Sequence, residues 1–202
     1  MFSSQHLSRK ALRSELRTAR RGLTDAEQCD AAQRIVQRLT SLPQIQNAQN
    51  LASYLSNDGE LDLSHVHDWC RQQNKTVHLP VLHPFAKQHL LMLAYSPATP
   101  MTLNHFGISE PALNSTLVCP LSKLDVILLP LVGFDAHANR LGMGGGFYDR
   151  SLAPYRDRDT RPILIGIAHD CQQVDALPTE SWDIPLDGIV TPSQIIMLSI
   201  ES

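Results

Sequence analysis

"KLDVILLPLVGFDAHANRLGMGGGFYDRSL", Lys123 to Leu152, joins the most apolar segment of the chain to its most glycine-rich one. The run "VILLPLV" carries no charge and reads as a central strand buried on both faces. Four glycines then fall within the five residues Gly142 to Gly146, and bulk returns abruptly at Phe147 and Tyr148. Glycine raises the entropy cost of ordering a chain, so bending alone does not explain such a run. "GFYDRSLAPY" reads as the helix that follows. Strand, glycine loop and helix in that order place the loop at the carboxyl end of a buried strand, where open α/β sheets bind ligands. Free backbone N–H groups at a helix start suit an anion. Arg140 and Arg150 add charge-assisted contacts. Two readings compete at this stage: a phosphate-binding loop, or a surface turn packed closely on a neighbour.

Working outward, the chain alternates between the two periods. Leu12, Leu16, Ala19 and Leu23 share one face of an amino-terminal helix, with Arg9, Arg13, Arg17 and Arg20 on an adjacent one. "LTDAEQ" starts a second helix, with Thr24 as N-cap and Glu27 completing a capping box. Ala32, Ile35, Val36 and Leu39 continue it, and Pro43 lies beyond its end. "NLASYLS" reads as a strand, "LSHVHDWCRQQ" as a helix, and "TVHLPVL" and "HLLMLAYS" as strands. "PILIGIAHD" and "DGIVT" are two more. The expectation is an α/β fold: a single domain over 1–202, with a largely parallel central sheet flanked by helices and a basic N-terminal helix. Its helical segment runs over about 8–40 and its α/β core over about 50–195.

Composition narrows the function classes. The 202 residues suffice for one sizeable core, and the net charge of −3 gives no electrostatic footprint for nucleic acid. Four scattered cysteines, Cys29, Cys70, Cys119 and Cys171, suit reduced thiols in a cytoplasmic setting better than a disulfide framework or zinc site. No apolar run is long enough to span a membrane. "MFSSQHLSRKALRSELRTARR" lacks the apolar centre of a secretory signal, although its Arg-rich, acid-poor composition is that of a mitochondrial presequence. His65 and His67 are two residues apart on a helix and share no face, which argues for surface histidines rather than a zinc pair.

The loop is not a Walker A motif, since no Lys-Ser/Thr follows the glycines, and Phe147 breaks a dinucleotide fingerprint counted from Gly142. No Gly-x-Ser-x-Gly elbow occurs. Asp149 falls in the first helical turn, where a carboxylate ordinarily serves the helix dipole for about 0.3–1 kcal/mol. Beside a polyphosphate it would repel unless a divalent cation lay between them. Loop, arginine and aspartate together favour an Mg²⁺-nucleotide.

"LPLVGFDAHANRLGMGGGFYDRSL" closely resembles the signature of the 5-formyltetrahydrofolate cyclo-ligase family. "RKALR", "YLSNDGELD", "FGISEP" and "LPTESWDIPLDGIVTP" are similar to further segments of that family, in order from about residue 9 to residue 192. The resemblance accounts for the basic helix without a presequence. It implies conversion of 5-formyltetrahydrofolate to 5,10-methenyltetrahydrofolate with MgATP. The formyl oxygen is phosphorylated, N10 attacks, and ADP and phosphate leave. No protein nucleophile is needed; alignment and charge neutralisation suffice.

The resemblance also implies residue roles. Arg9 and Arg13, together with Arg140, Leu141, Gly142, Met143, Gly144, Gly145, Gly146, Phe147 and Tyr148, would hold ATP. Arg140 and Asp149 would act in catalysis, and Asp149, supported by Asp183, would bind Mg²⁺. Leu55, Glu60, Phe147 and Tyr148 would meet the folate, with Glu60 pairing to the amino-pyrimidinone edge. Two departures concern the nucleotide site: Met143 and Gly145 stand where a basic residue is common, and Arg9 where a lysine is. A small-molecule substrate, no nucleic-acid or membrane partner, and a monomer or small homo-oligomer are expected. The other readings are a folate or nucleotide binder without turnover, an isomerase or acyl-CoA transferase on a related scaffold, and a nucleic-acid binder using the Arg-rich helix.

Overall fold

A computed structural model describes residues 8–156 and 161–198. The first seven residues of the Arg-rich amino terminus, and the last four of the 1–202 unit, lie outside the described residues. The helices are α1 (Arg9–Arg21), α2 (Asp25–Ser41), α3 (Pro43–Asn47), α4 (Ser64–Gln72) and α5 (Phe147–Leu152). The strands are β1 (Asn50–Ala52), β2 (Thr76–Leu82), β3 (Leu90–Tyr95), β4 (Met101–Leu103), β5 (Ser109–Pro111), β6 (Val118–Cys119), β7 (Val126–Pro130), β8 (Gly133–Phe134), β9 (Arg140–Leu141), β10 (Ile163–Ile167), β11 (Gly188–Val190) and β12 (Ile195–Met197).

Eight strands form one sheet in the order β12-β11-β10-β7-β1-β2-β3-β6. The five inner strands, β11 to β2, are parallel. The flanking pairs β11–β12, β2–β3 and β3–β6 are antiparallel. Thus "TVHLPVL" and "HLLMLAYS" form a hairpin, since their short connection leaves no room for the crossover a parallel pair needs. From β1 the chain runs outward to β2, then returns to the other side of β1 at β7. The order of strands therefore reverses between β1 and β7.

Side-chain alternation assigns the two sheet faces. Val126 and Leu128 of β7 pack with Ile35 and Leu39 of α2 and Val66 of α4. Ile127 and Leu129 point the other way, into a cluster with Leu152 of α5 and Phe134. This period of two, apolar on both faces, is the signature of a doubly covered strand. The capping box forms as read: Glu27 N donates to Thr24 Oγ1 and Thr24 N to Glu27 Oε2, at 3.3 and 2.8 Å. Pro43 opens α3 after α2 ends.

Three expectations change. "KLDVILLPLVGF" is not one strand; β7 ends at Pro130, which lacks an N–H to continue the ladder. The chain then enters a separate β8–β9 ribbon, which stands between the central strand and the glycine loop. The buried line of α1 runs through Leu12, Leu16 and Arg20, which is 1% exposed, while Ala19 and Leu23 of the expected apolar face are only partly covered. Finally, His65 is exposed but His67 is buried, its Nε2 2.8 Å from Ser53 Oγ. Burial pushes the His67 imidazole down to about 4, so it is a neutral core residue.

Candidate active site

A cleft of about 970 Å³ opens where the strand order reverses. Tyr54 and Leu55, just beyond β1, and Pro130 and Leu131, at the end of β7, form its floor. The carboxyl ends of diverging parallel strands leave a crevice that neither crossover helix covers. Its size lies at the upper end of the range for small-molecule sites.

One wall is the glycine loop. Gly144 and Gly146 have φ of +97° and +67°, a region an L side chain adopts at a cost of about 1–2 kcal/mol. A Cβ at Gly146 would also lie 2.5 Å from Arg150 Nη1. That arginine donates to Gly145 O at 2.9 Å and holds the turn. Gly146 is the N-cap of α5 and no side chain caps its first N–H groups. The loop therefore presents bare backbone at the cleft wall, as a phosphate site requires. Arg13 supports it from α1, donating through Nε to Gly142 O at 2.8 Å.

Two arginine–carboxylate pairs lie beside the loop. Arg140 donates to Asp149, and Asp149 also accepts from Ile184 N at 3.3 Å. Among the described residues the buried Arg140 Nε has no hydrogen-bond partner. Arg9 makes a two-pronged contact with Asp183, at 2.6 and 3.0 Å. Burial opposes ionisation of Asp183, but the Arg9 contact, the Glu180 N–H and the charge of Arg140 together hold the carboxyl below its usual range. Arg156 fastens the same turn by donating to the Ser181 and Asp183 carbonyls, at 3.0 and 2.9 Å.

The opposite wall carries Glu60. The turn "SNDGE" packs against the end of α1, and Glu60 Oε2 accepts from Asn57 N at 3.1 Å. Burial pushes the Glu60 carboxyl up to about 7, against the opposing charge of Arg20. It is therefore an acceptor poised between its two protonation states near neutrality. The β4–β5 ribbon forms the rim above: Glu110 Oε2 accepts from Leu82 N and Asn104 Nδ2, at 3.1 and 3.0 Å, and ties the ribbon to β2. Phe106 at its tip meets Phe147 edge-on, with centroids 5.8 Å apart. The aromatic pair offers a flat apolar surface beside the polar end of the cleft.

Of the residues singled out from sequence, Arg9, Arg13, Leu55, Glu60, Arg140, Asp183 and every position from Gly142 to Asp149 line this one cleft. Leu141 is the exception. Its side chain is fully buried and packs with Leu12 and Leu16 of α1, because β9 turns alternate residues to opposite sides. Tyr54, Phe106, Glu110 and Trp182, which lie in the family-like segments but were given no role from sequence, also line the cleft, as does Arg156, which lies outside those segments.

A metal reading needs donors. Among the described residues no group of three His, Cys, Asp or Glu is placed to hold an ion. Asp149 and Asp183 are each ion-paired to arginine. The donor set fits Mg²⁺ arriving on a polyphosphate, with phosphate oxygens and water as its other ligands. It does not fit a metal held by protein alone.

Residues 5–192 match the family model described as 5-formyltetrahydrofolate cyclo-ligase family. The chain is 48% identical over 182 residues to a 5-formyltetrahydrofolate cyclo-ligase of Haemophilus influenzae, covering 90% of this chain and 96% of that one. It is 46% identical over 180 residues to one of Escherichia coli K12, covering 89% and 98%. Among solved structures, the 5,10-methenyltetrahydrofolate synthetase of Aquifex aeolicus superposes with a TM-score of 0.79 at 27% identity, covering 97% of both chains. The synthetase of Mycoplasma pneumoniae shares the fold, with a TM-score of 0.73 at 23% identity.

Proposed function

The chain belongs to the 5-formyltetrahydrofolate cyclo-ligase family, and from that premise we propose that its cleft aligns the formyl oxygen of 5-formyltetrahydrofolate with the γ-phosphate of ATP. The reaction is cyclisation of 5-formyltetrahydrofolate to 5,10-methenyltetrahydrofolate. The observation that carries the alignment is the convergence of Glu60, the bare glycine loop and the Arg140–Asp149 pair on one crevice. A formamide oxygen is a poor leaving group, and transfer of a phosphoryl group to it makes it a good one. N10 can then attack the formyl carbon and expel phosphate.

Each part of the chain has a job in this reading. Glu60 accepts paired N–H bonds from the pterin edge and fixes the formyl group in the cleft. Phe106, Phe147 and Leu55 cover the folate ring system and exclude water. The glycine loop, Arg9 and Arg13 grip the phosphates. Arg140 neutralises the charge that spreads over the transferred group, where preorganised cations contribute most. Asp149, with Asp183, would hold Mg²⁺ on the nucleotide, where the cation supplies further charge neutralisation. The protein works in the cytoplasm on small molecules alone, as one cyclo-ligase unit. The free thiols Cys29, Cys70, Cys119 and Cys171 accord with a reducing compartment.

The test is absorbance at the methenyl chromophore. Signal must grow with 5-formyltetrahydrofolate and MgATP together and stay flat when either is left out. Growth at the same rate without ATP overturns phosphoryl transfer. Tight binding of both with no growth leaves a binder without turnover.

A further inference from the structure

A buried, multiply bonded side chain beside the cleft is one the catalytic reading does not use. Arg20, in the last turn of α1, is 1% exposed. Its Nε donates to Asp58 O at 3.0 Å, its Nη2 to Asp58 Oδ2 at 2.7 Å, and its Nη1 to Leu131 O at 3.2 Å. The same Nη1 lies 3.8 Å from Glu60 Oε1. A guanidinium buried this deeply is costly to desolvate, and the cost is recovered only by the contacts it makes. All of these go to the "SNDGE" turn and to the end of β7.

The turn itself depends on this support. Asp58 has φ +56°, an uncommon conformation for a residue with a side chain, and Gly59 follows at φ +76°. Asp58 also accepts from Arg17 Nε at 2.8 Å and is paired with Arg21. Burial works against its ionisation, yet the three arginines hold its carboxyl down to about 2. Asp58 is thus a fixed anion that gathers arginines, and Arg20 is the one among them that reaches on to Glu60.

We propose that Arg20 is the positioning residue for Glu60: it fixes where that carboxylate stands in the cleft and supplies the positive field beside it. The inference rests on the reading that Glu60 meets the folate. Leu131 O, at the end of the central strand, is the rigid reference point. Gln172 Nε2 donates to that same oxygen at 2.7 Å.

The other titratable groups around this centre are accounted for. Asp58, on the same turn, raises the cost of ionising Glu60. Tyr54, beyond β1, and Tyr148 of α5 face Glu60 as neutral phenols, since burial pushes both upward. His169 faces Arg20 and is pushed by burial down to about 4, so it carries no charge at neutral pH. Among the described residues Arg20 is then the cation paired with the Glu60 carboxylate.

The experiment is calorimetric titration of the folded protein with 5-formyltetrahydrofolate from pH 6 to pH 9, with circular dichroism as the folding control. Wild-type affinity should fall as pH drops through about 7, where Glu60 takes up a proton. Arg20→Gln should raise that midpoint by about one pH unit, weakening binding about fivefold at pH 7 and less than twofold at pH 9. Arg20→Lys, which keeps the charge, should return the midpoint most of the way. Asp58→Asn should move it the opposite way, downward, because an anion beside Glu60 is lost. ATP affinity should not change in any of them. Equal weakening at every pH, or an unmoved midpoint in Arg20→Gln, overturns the proposal. Should Arg20→Gln fail to fold, Arg20→Met, which keeps the packed stem and removes the charge, takes its place, and an unmoved midpoint there overturns it too. Glu60→Gln separates the premise: if that variant binds folate as tightly as wild type across the range, the folate reading of Glu60 falls instead.

Discussion

Replacing Asp149 by asparagine divides a catalytic carboxylate from a merely structural one. In the first turn of a helix an aspartate contributes about 0.3–1 kcal/mol through the dipole. Here the loss should be larger, because Asp149 is the ion partner of Arg140, whose side chain is 5% exposed against 21% for Asp149. Complete removal of one member of a buried pair costs about 3–5 kcal/mol. Asparagine keeps an oxygen facing Arg140 and Ile184 N, and the half-open side of the cleft admits water, so about 2 kcal/mol is expected. For a chain of this size that lowers Tm by roughly 4–8 °C. Turnover should fall about a hundredfold or more, as when one preorganised charge is removed from a transition-state site. Raising Mg²⁺ should restore part of the rate if metal affinity is the defect. The assay is methenyl absorbance at matched fractions of folded protein, beside a thermal melt. A variant that melts lower but cyclises at the wild-type rate would show that Asp149 only neutralises Arg140.

Three further perturbations follow from the geometry. Glu60→Gln should weaken folate binding while leaving ATP affinity intact, which calorimetry with each ligand checks. The same variant should melt higher than wild type at pH 8. The Glu60 pKa is raised in the fold to about 7, so the folded protein holds this proton more tightly than the unfolded chain, and stability declines as pH rises from about 4.5 to 7. Melts of both proteins at pH 5 and pH 8 should therefore diverge only at the higher pH. Gly146→Ala forces a side chain to φ +67° and against Arg150, so nucleotide affinity should drop with a stability loss of about 1–2 kcal/mol; unchanged ATP binding would show that the loop conformation is irrelevant to the nucleotide. Thr24→Ala removes the capping box of α2, no residue of which lines the cleft, and should cost about 1 kcal/mol with normal turnover.

What the sequence by itself determined is whatever a few neighbouring residues decide. "TVHLPVL" is a strand because β-branched and apolar residues fill it, and the structure begins and ends β2 at its two ends. The capping box at Thr24 and Glu27 closes over three residues. The glycine run announced a backbone without side chains, and two of its members do take left-handed angles. The family motifs located nearly all of the cleft, since those segments are contiguous and individually recognisable. The tertiary structure decided what depends on groups distant in the chain. Helical spacing sets Arg20 beside the leucine face and Arg21 opposite it, but nothing local shows that Arg20 is sealed under Asp58, 38 residues on, while Arg21 pairs with the same carboxylate and remains half open to solvent. Nothing local shows that Leu141 turns into the core while its neighbours face the cleft, because that depends on where α1 packs. The partners of Asp149 and Asp183, the arrival of Phe106 on Phe147, and the raised proton affinity of Glu60 all come from chain crossings. Burial and charge are properties of a place, and the place exists only once β1 and β7 lie side by side.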